Sequence, residues 1–220
     1  MSAINELLRY FAIITGWPLY KLVFKTRIYY EDEIGKENRK IRGAALIVSN
    51  HFSGLDYMIT LFHYFGRKVY VIMLEEVFKK SAFLRWSIKI IGGIRADRDI
   101  KRMRFMDEGV KVLRMGKLLQ IYPEAHNTTD GLMHGFKPSY VLIALRADVP
   151  IVPLIVDGQY GIKKRAHAII GKSIRLGDLC PTSDPTREQI EYLNNVVHDK
   201  AMELKALLDK KILEEKEAKR

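Results

Sequence analysis

The stretch AALIVSNHFSGLDYMITLFHYFG, residues 44–66, decides the fold of this chain. It begins with the short apolar run AALIVS (44–49), which is typical of a strand buried in a parallel sheet. A helix is predicted directly afterwards, over residues 54–65, and Gly66 ends it. Apolar residues recur there at helical spacing, at Leu55, Met58, Ile59, Phe62 and Phe65. A buried strand followed by a helix is the repeating unit of α/β folds.

Strand and helix patterns keep alternating along the rest of the chain. Further strands are predicted at 69–74, 118–122, 151–156 and 167–176. Further helices are predicted at 77–91, 99–115, 139–147 and over about the last 35 residues. We therefore predict a single α/β domain whose mixed, mainly parallel sheet is covered by helices on both faces.

The N-terminal segment differs in character from the rest. Residues 7–24 (LLRYFAIITGWPLYKLVF) carry Arg9 and Lys21 within a short apolar stretch, which makes a membrane-spanning helix a poor fit. Their aromatic residues and flanking cations suit the membrane interface instead. We predict a membrane-associating interfacial helix segment over residues 1–30 and an α/β domain over residues 31–220. The alternative is a helix packed on that domain, because an apolar helical face has the same pattern in both settings.

Charge and composition narrow the class of partner. The net charge of +11 and the isoelectric point of about 9.6 favour a polyanion, such as anionic lipid, a phosphorylated substrate or nucleic acid. The basic run KKR at 163–165 has no nucleic-acid recognition motif beside it, so no nucleic-acid partner is expected. The single cysteine, Cys180, excludes an intramolecular disulfide. His126 and His134 share one loop but lack the further ligands of a metal site, so no metal is predicted.

The segment NHFSGLD, residues 50–56, carries the strongest chemical signal. Ser53 followed by Asp56 resembles a capping box at the start of a helix, which leaves His51 in the preceding loop. There the chain can turn back, so that the imidazole meets the Asp56 carboxylate. Such a pair holds one histidine tautomer and can take the proton of an attacking hydroxyl. On this segment alone, a helix cap beside an ordinary histidine remains the alternative.

Four segments in order resemble the signatures of the glycerol-phosphate and lysophosphatidic acid acyltransferase family. The first is NHFSGLD, with its Asn-His dipeptide and an aspartate after four intervening residues. The second is GGIRADR (92–98), the third IYPEAHNTTDG (121–131) and the fourth VPIVPLIV (149–156). Their order and separations match those of the family, and the resemblance spans roughly residues 40–160.

The resemblance implies an O-acyltransferase that moves a fatty acyl group from acyl-CoA or acyl carrier protein to a lysophospholipid hydroxyl. It assigns the catalytic base to His51, its partner to Asp56, and acceptor binding to Arg98 and Glu124. A guanidinium suits a phosphate acceptor, because it forms two parallel charge-assisted hydrogen bonds. No cofactor is implied beyond the thioester co-substrate. The membrane lipid surface is the expected partner, with the protein peripheral or monotopic on the cytoplasmic face.

The third signature departs from the family pattern. Ala125 and His126 stand where the family has Gly-Thr, and Tyr122 replaces phenylalanine. The methyl group of Ala125 restricts the backbone angles and the close approach of a ligand, while His126 adds a titratable group to the acceptor site. An acyltransferase for another lyso-lipid, such as an aminolipid, is therefore one alternative. A non-catalytic membrane-binding protein on the same fold is the other.

Overall fold

The computed structural model describes residues 3–96, 104–126, 132–182 and 184–218. Within them lie seven strands: β1 (Arg27–Tyr30), β2 (Ala45–Ser49), β3 (Val69–Leu74), β4 (Gly93–Ala96), β5 (Leu118–Ile121), β6 (Ile151–Val156) and β7 (His167–Ile170). They form one sheet in the order β1-β7-β6-β2-β5-β3-β4. Every neighbouring pair is parallel except β6 and β7. The predicted mixed, mainly parallel sheet is confirmed.

Eight α-helices within the described residues cover this sheet: α1 (Ala3–Phe24), α2 (Asp56–His63), α3 (Glu75–Lys79), α4 (Ala82–Ile91), α5 (Arg104–Arg114), α6 (Ser139–Ala147), α7 (Leu176–Leu179) and α8 (Arg187–Glu217). A short 3₁₀ helix spans Gly35–Lys40. A hydrophobic core lies on each face of the sheet, and the side chains of strand β2 alternate between the two. Leu46 and Val48 pack with α5, α6 and α8, whereas Ala45 and Ile47 pack with α1 and α2 on the opposite face.

Predicted and observed elements differ in a few places. The helix predicted over 77–91 is two helices, because the Ser81 side chain accepts a hydrogen bond from the Leu84 amide and starts α4 afresh. The strand predicted over 167–176 ends at Ile170, and only Ile174 pairs again, with Ile151. The helix predicted over 99–115 starts outside the described residues.

The short edge strands β1 and β4 were not predicted. Strand β1 lies inside the segment assigned to the membrane and pairs with β7 from Arg27 opposite His167. The last residues of the predicted membrane segment, 1–30, are therefore part of the sheet. The division of the chain into a membrane-associating segment (1–30) and a domain (31–220) stays a prediction.

Helix α1 has two different faces. Arg9, Ile13, Tyr20 and Phe24 are buried against the domain, and the Tyr20 ring stacks on Phe62 with 4.1 Å between centroids. The opposite face is apolar and exposed, through Ile4, Leu7, Phe11, Ile14, Leu19 and Leu22. One face of α1 therefore packs on the domain, as the alternative interpretation of this segment expected. Contact of the other face with lipid stays a prediction. Among the described helices, none combines the length and apolar character needed to cross a bilayer.

The direction of the strands defines one functional edge of the sheet. Strands β2, β5 and β6 are parallel, so their last residues, Ser49, Ile121 and Val156, lie at the same edge of the sheet. We call it the carboxyl edge. Strand β7 runs the opposite way, with Ala168 opposite Val156, and therefore starts at this edge. Ligand sites of open α/β sheets lie beyond such an edge.

Candidate active site

His51 and Asp56 meet at the carboxyl edge. His51 follows β2, and its Nδ1 lies 2.9 Å from Oδ2 of Asp56, the first residue of α2. The contact that the sequence predicts is present. The predicted capping box is half formed, because the Asp56 carboxylate accepts the Ser53 amide at 2.8 Å as such a box requires. The other half is missing, since the Ser53 hydroxyl accepts from the Leu55 amide at 3.1 Å and α2 begins only at Asp56.

The Asp56 carboxylate is buried and surrounded by donors. Its Oδ2 accepts from the amides of Phe52, at 2.7 Å, and Ser53 in addition to the His51 ring. Its Oδ1 accepts from the Tyr160 hydroxyl. These four hydrogen bonds offset the loss of hydration that a buried anion suffers, and they fix the plane of the carboxylate.

Tyr160 is a site residue that the sequence did not reveal. It lies in the loop between β6 and β7, 104 residues from Asp56, and no local pattern marks it. Burial raises the pKa of Tyr160 well above its usual value, and the negative charge of Asp56 raises that pKa further. The phenol therefore stays protonated and acts as a donor. Its ring lies 5.1 Å from that of Phe24, at the end of α1.

The imidazole is the accessible member of the pair. The His51 side chain is 19% exposed, whereas that of Asp56 is fully buried. With Nδ1 directed at Asp56, the tautomer that donates from Nδ1 leaves the Nε2 lone pair to accept a proton. The ring stacks on Tyr122, with centroids 4.1 Å apart, and the Tyr122 hydroxyl accepts from Gln120 Nε2 at 3.0 Å.

Two buried polar side chains fix the backbone around His51. The Asn50 side chain exchanges two hydrogen bonds of 2.9 Å with the backbone of Val156, which joins the ends of β2 and β6. The Glu124 carboxylate accepts the amide of His51 through Oε1 and that of His134 through Oε2, each at 2.9 Å. Glu124 therefore links the histidine backbone to the loop that precedes α6. Its predicted part in binding the acceptor stays a prediction.

The departure at the third signature has a structural counterpart. Ala125 has a φ of +59°, a left-handed conformation that costs other residues more than glycine. His126 beside it is exposed, and its ring centroid lies 5.2 Å from that of His134. Arg98, the predicted phosphate ligand, lies outside the described residues. The substrate-binding roles of Ala125 and His126 stay predictions, and so does the absence of a metal.

A second histidine–carboxylate pair lies at the same edge. His167 Nδ1 is 2.7 Å from Asp157 Oδ2, and its Nε2 is 3.5 Å from Glu215 Oε2 on α8. Glu215 also accepts from the Tyr29 hydroxyl at 2.7 Å, and burial followed by this contact raises the pKa of Tyr29 to about 12. Both nitrogens of His167 face carboxylates, and the contact with Glu215 links strand β7 to helix α8. His51 is the better base, because one of its nitrogens faces away from its carboxylate.

Comparison with known proteins gives a consistent family assignment. The model of the family described as Acyltransferase matches residues 32–157. Human 1-acyl-sn-glycerol-3-phosphate acyltransferase beta is 29% identical over 194 residues, which cover 84% of this chain and 68% of that protein. A probable 1-acyl-sn-glycerol-3-phosphate acyltransferase of Mycoplasma pneumoniae is 33% identical over 125 residues, 54% of this chain and 46% of that one.

A solved structure extends the likeness to the whole fold. The crystal structure of the 1-acyl-sn-glycerophosphate (LPA) acyltransferase from Thermotoga maritima superposes with a TM-score of 0.60 and 19% identity, covering 94% of this chain and 98% of that one. At that identity the likeness shows the fold alone. Among the curated relatives, the chain spans 59% of the protein from Limnanthes douglasii and about half of the Mycoplasma protein.

Proposed function

This chain belongs to the acyltransferase family, and from that premise we propose that it transfers a fatty acyl group from a thioester to a lysophospholipid hydroxyl. Its relatives are named for 1-acyl-sn-glycerol-3-phosphate, which supports lysophosphatidic acid as acceptor and phosphatidic acid as product. The observation that carries the proposal is the contact of His51 with Asp56, which leaves Nε2 of an accessible imidazole free for the acceptor hydroxyl.

In the proposed reaction, His51 Nε2 takes the proton of the acceptor hydroxyl while its oxygen attacks the thioester carbonyl carbon. A tetrahedral intermediate forms, and its collapse breaks the carbon–sulfur bond. The leaving thiolate takes the proton from the imidazolium. Asp56 holds the Nδ1–H in place and stabilises the imidazolium between the two transfers. The acyl group passes directly from donor to acceptor, with acyl-CoA or acyl carrier protein as the donor.

The acceptor is proposed to carry a phosphate that Arg98 binds. The third signature gives a specific reason to consider a second acceptor class, because Ala125 holds a left-handed backbone and exposed His126 replaces a hydroxyl residue. An aminolipid or another lyso-lipid is therefore the second candidate. Glu124 supports either acceptor through the position it gives to the His51 backbone.

The enzyme is proposed to work on a membrane surface, peripheral or monotopic on the cytoplasmic face. The outer face of α1 supports this placement, because Phe11, Ile14 and Leu19 are largely exposed. Lys21 and Lys25 at the end of that helix, with the net charge of +11, would draw the protein to anionic lipid. The end of α1 also contacts Tyr160, which brings the proposed lipid surface close to the site.

The test is an acyl-transfer assay with purified protein, lipid vesicles and one radiolabelled thioester. The acceptors are lysophosphatidic acid, its dephosphorylated monoacylglycerol, zwitterionic lysophospholipids and a lyso-aminolipid. Product from lysophosphatidic acid is expected, and His51→Ala should lower its rate by roughly 10²–10⁴-fold. His198→Ala is the matched control and should keep the rate, because His198 lies on α8 and packs its ring on Phe136.

Three results would contradict the proposal in whole or in part. A folded His51→Ala protein with near wild-type turnover would remove His51 as the base. If wild-type protein binds vesicles but acylates none of these acceptors, the chain is a non-catalytic membrane-binding protein on the same fold. Preference for a phosphate-free acceptor would replace lysophosphatidic acid by the second candidate and remove the phosphate role of Arg98.

A further inference from the structure

The outer face of helix α4 presents two exposed aromatic rings. Phe83 is 76% exposed and Trp86 is 51% exposed, with ring centroids 6.1 Å apart. The other side of the helix is anchored at Ile88, which is buried, and the rings are exposed because they lie in its first two turns. Large aromatic side chains are costly to leave in water, and a pair of them on one turn of a surface helix marks an interaction surface.

The charges around these rings select the kind of partner. Four cations are exposed here: Lys79 at the end of α3, Lys80 directly after it, and Arg85 and Lys89 on α4. Glu75 forms an ion pair of 2.9 Å with Lys79, and three of these four cations remain outside that pair. Aromatic rings rimmed by lysine and arginine fit the boundary between the headgroups and acyl chains of an anionic bilayer. This charge favours lipid over a protein partner.

The position of α4 in the fold places the rings near the active site. Strands β3 and β4 are parallel neighbours, and α3 and α4 connect the end of one to the start of the other. The first turns of α4, with Phe83 and Trp86, therefore lie toward the carboxyl edge. Helix α1 packs against α4 and reaches the same edge at Phe24, whose carbonyl accepts the Ala166 amide at 2.8 Å.

We propose that α4 is a second membrane contact, which inserts Phe83 and Trp86 into the leaflet on which α1 lies. This inference rests on the proposed association with a membrane, but not on the acyl-transfer chemistry. A single amphipathic helix at an interface leaves the attached domain free to tilt about the helix axis. A second contact removes that freedom and holds the carboxyl edge, with His51, toward the lipid that supplies the acceptor.

The chain offers a direct probe, because Trp17 on α1 and Trp86 on α4 are its only two tryptophans. Trp17→Phe leaves Trp86 as the single reporter, and Trp86→Phe leaves Trp17. Each protein is mixed with vesicles of phosphatidylglycerol and phosphatidylcholine, with or without brominated acyl chains, which quench tryptophan on contact. Trp86 emission is expected to shift to the blue and to be quenched by the brominated lipid.

A binding measurement with a matched control completes the test. Phe83→Ser should lower the vesicle partition constant by about tenfold, the loss expected for one aromatic ring at the interface. Leu213→Ser is the control, because Leu213 is 57% exposed on α8, which packs on the other face of the sheet. That variant should keep the partition constant. Both replaced side chains are solvent-exposed, so neither change removes a core contact.

Several outcomes would overturn the inference. One is that Trp17→Phe protein cosediments with the vesicles but its Trp86 emission is not quenched by the brominated lipid. Another is a blue shift of Trp86 emission that grows with protein concentration in the absence of lipid. That result would show that the outer face of α4 binds a second copy of the chain. Equal loss of binding in Phe83→Ser and Leu213→Ser would also contradict it. Acyl transfer measured in detergent micelles reports on the chemistry separately, so its failure is distinguishable from a failure of α4 to bind.

Discussion

At the scale of single residues, Asp56 holds the proposed base, His51, in position. The carboxylate binds the His51 ring, two backbone amides and the Tyr160 hydroxyl, so its orientation is set from both sides. Tyr160 binds Oδ1 of Asp56, whereas the imidazole faces Oδ2. It is a positioning residue whose effect reaches His51 through the carboxylate.

Tyr160→Phe is expected to lower kcat by about tenfold while the KM of the acceptor changes little, because one donor to the carboxylate is lost and the ring packing is kept. Steady-state kinetics with the acceptor as the varied substrate measures both constants. Tyr122→Phe is the comparison, because its hydroxyl binds Gln120 and its ring would still stack on His51. Equal losses in both variants would assign the effect to general disturbance of the site.

The sequence predicted the contact that depends on local geometry alone. His51 and Asp56 lie five positions apart, and a short turn is enough to join them. Ala125 was also marked correctly as a backbone restriction. The contacts of Tyr160 with Asp56 and of Glu124 with the His51 amide could not be predicted, because each joins loops that follow different strands and exists only once the sheet has formed.

At the scale of elements, the loop after β6 is fitted closely to the loop that carries His51. Gly158 has a φ of +69°, and a Cβ built on it would lie 2.6 Å from Phe52 Cγ. Phe52 is the neighbour of His51 in the chain. The two loops therefore pack through a backbone position that has no room for a side chain.

Gly158→Ala should lower the free energy of unfolding by about 2–3 kcal/mol, because backbone strain and a steric clash act together. It should also reduce turnover by moving Phe52 and with it His51. Urea unfolding and the acyl-transfer assay measure these effects. Gly161→Ala separates the two causes, because Gly161 has a φ of +129° but its Cβ would meet no described atom within 4 Å. A loss of turnover as large for Gly161→Ala as for Gly158→Ala would exclude the clash as the cause.

Elements were predicted well where burial gives a clear pattern. Strands β2, β3 and β6 are fully apolar or nearly so, and their observed bounds lie within a residue of those predicted. Strands β1 and β4 have four residues each and lie at the edges of the sheet, where partial exposure leaves no alternation to detect. The sequence of β1, RIYY, has the same aromatic and cationic character as the interfacial segment before it.

At the scale of the whole molecule, a histidine with a buried ring nitrogen links stability to pH. His63 ends α2, and burial lowers its pKa from 6.5 to about 4, with a further contribution from Arg39. Its Nε2 has no hydrogen-bond partner within the part of the chain that the structure describes. The unfolded chain binds a proton at this histidine between pH 6.5 and 4, whereas the folded chain does not.

Stability is therefore expected to fall as the pH drops from about 6.5 to 4, by up to about 3 kcal/mol from this group. Urea unfolding at several pH values measures the slope. His63→Gln should flatten it, because glutamine does not titrate, whatever its effect on stability at neutral pH. An unchanged slope in His63→Gln would assign the acid sensitivity to other groups.

The two faces of α1 have a practical consequence for obtaining this enzyme in water. Removing the helix would be the usual way to free the protein from lipid, but it would also uncover Phe62 and take away Phe24, against which Tyr160 rests. A shortened chain would then aggregate or lose its catalytic geometry for reasons unrelated to lipid. A water-soluble form is better sought by changing only outward positions, such as Leu7, Phe11 and Ile14, to polar residues. The helix would then still serve as part of the wall around the base.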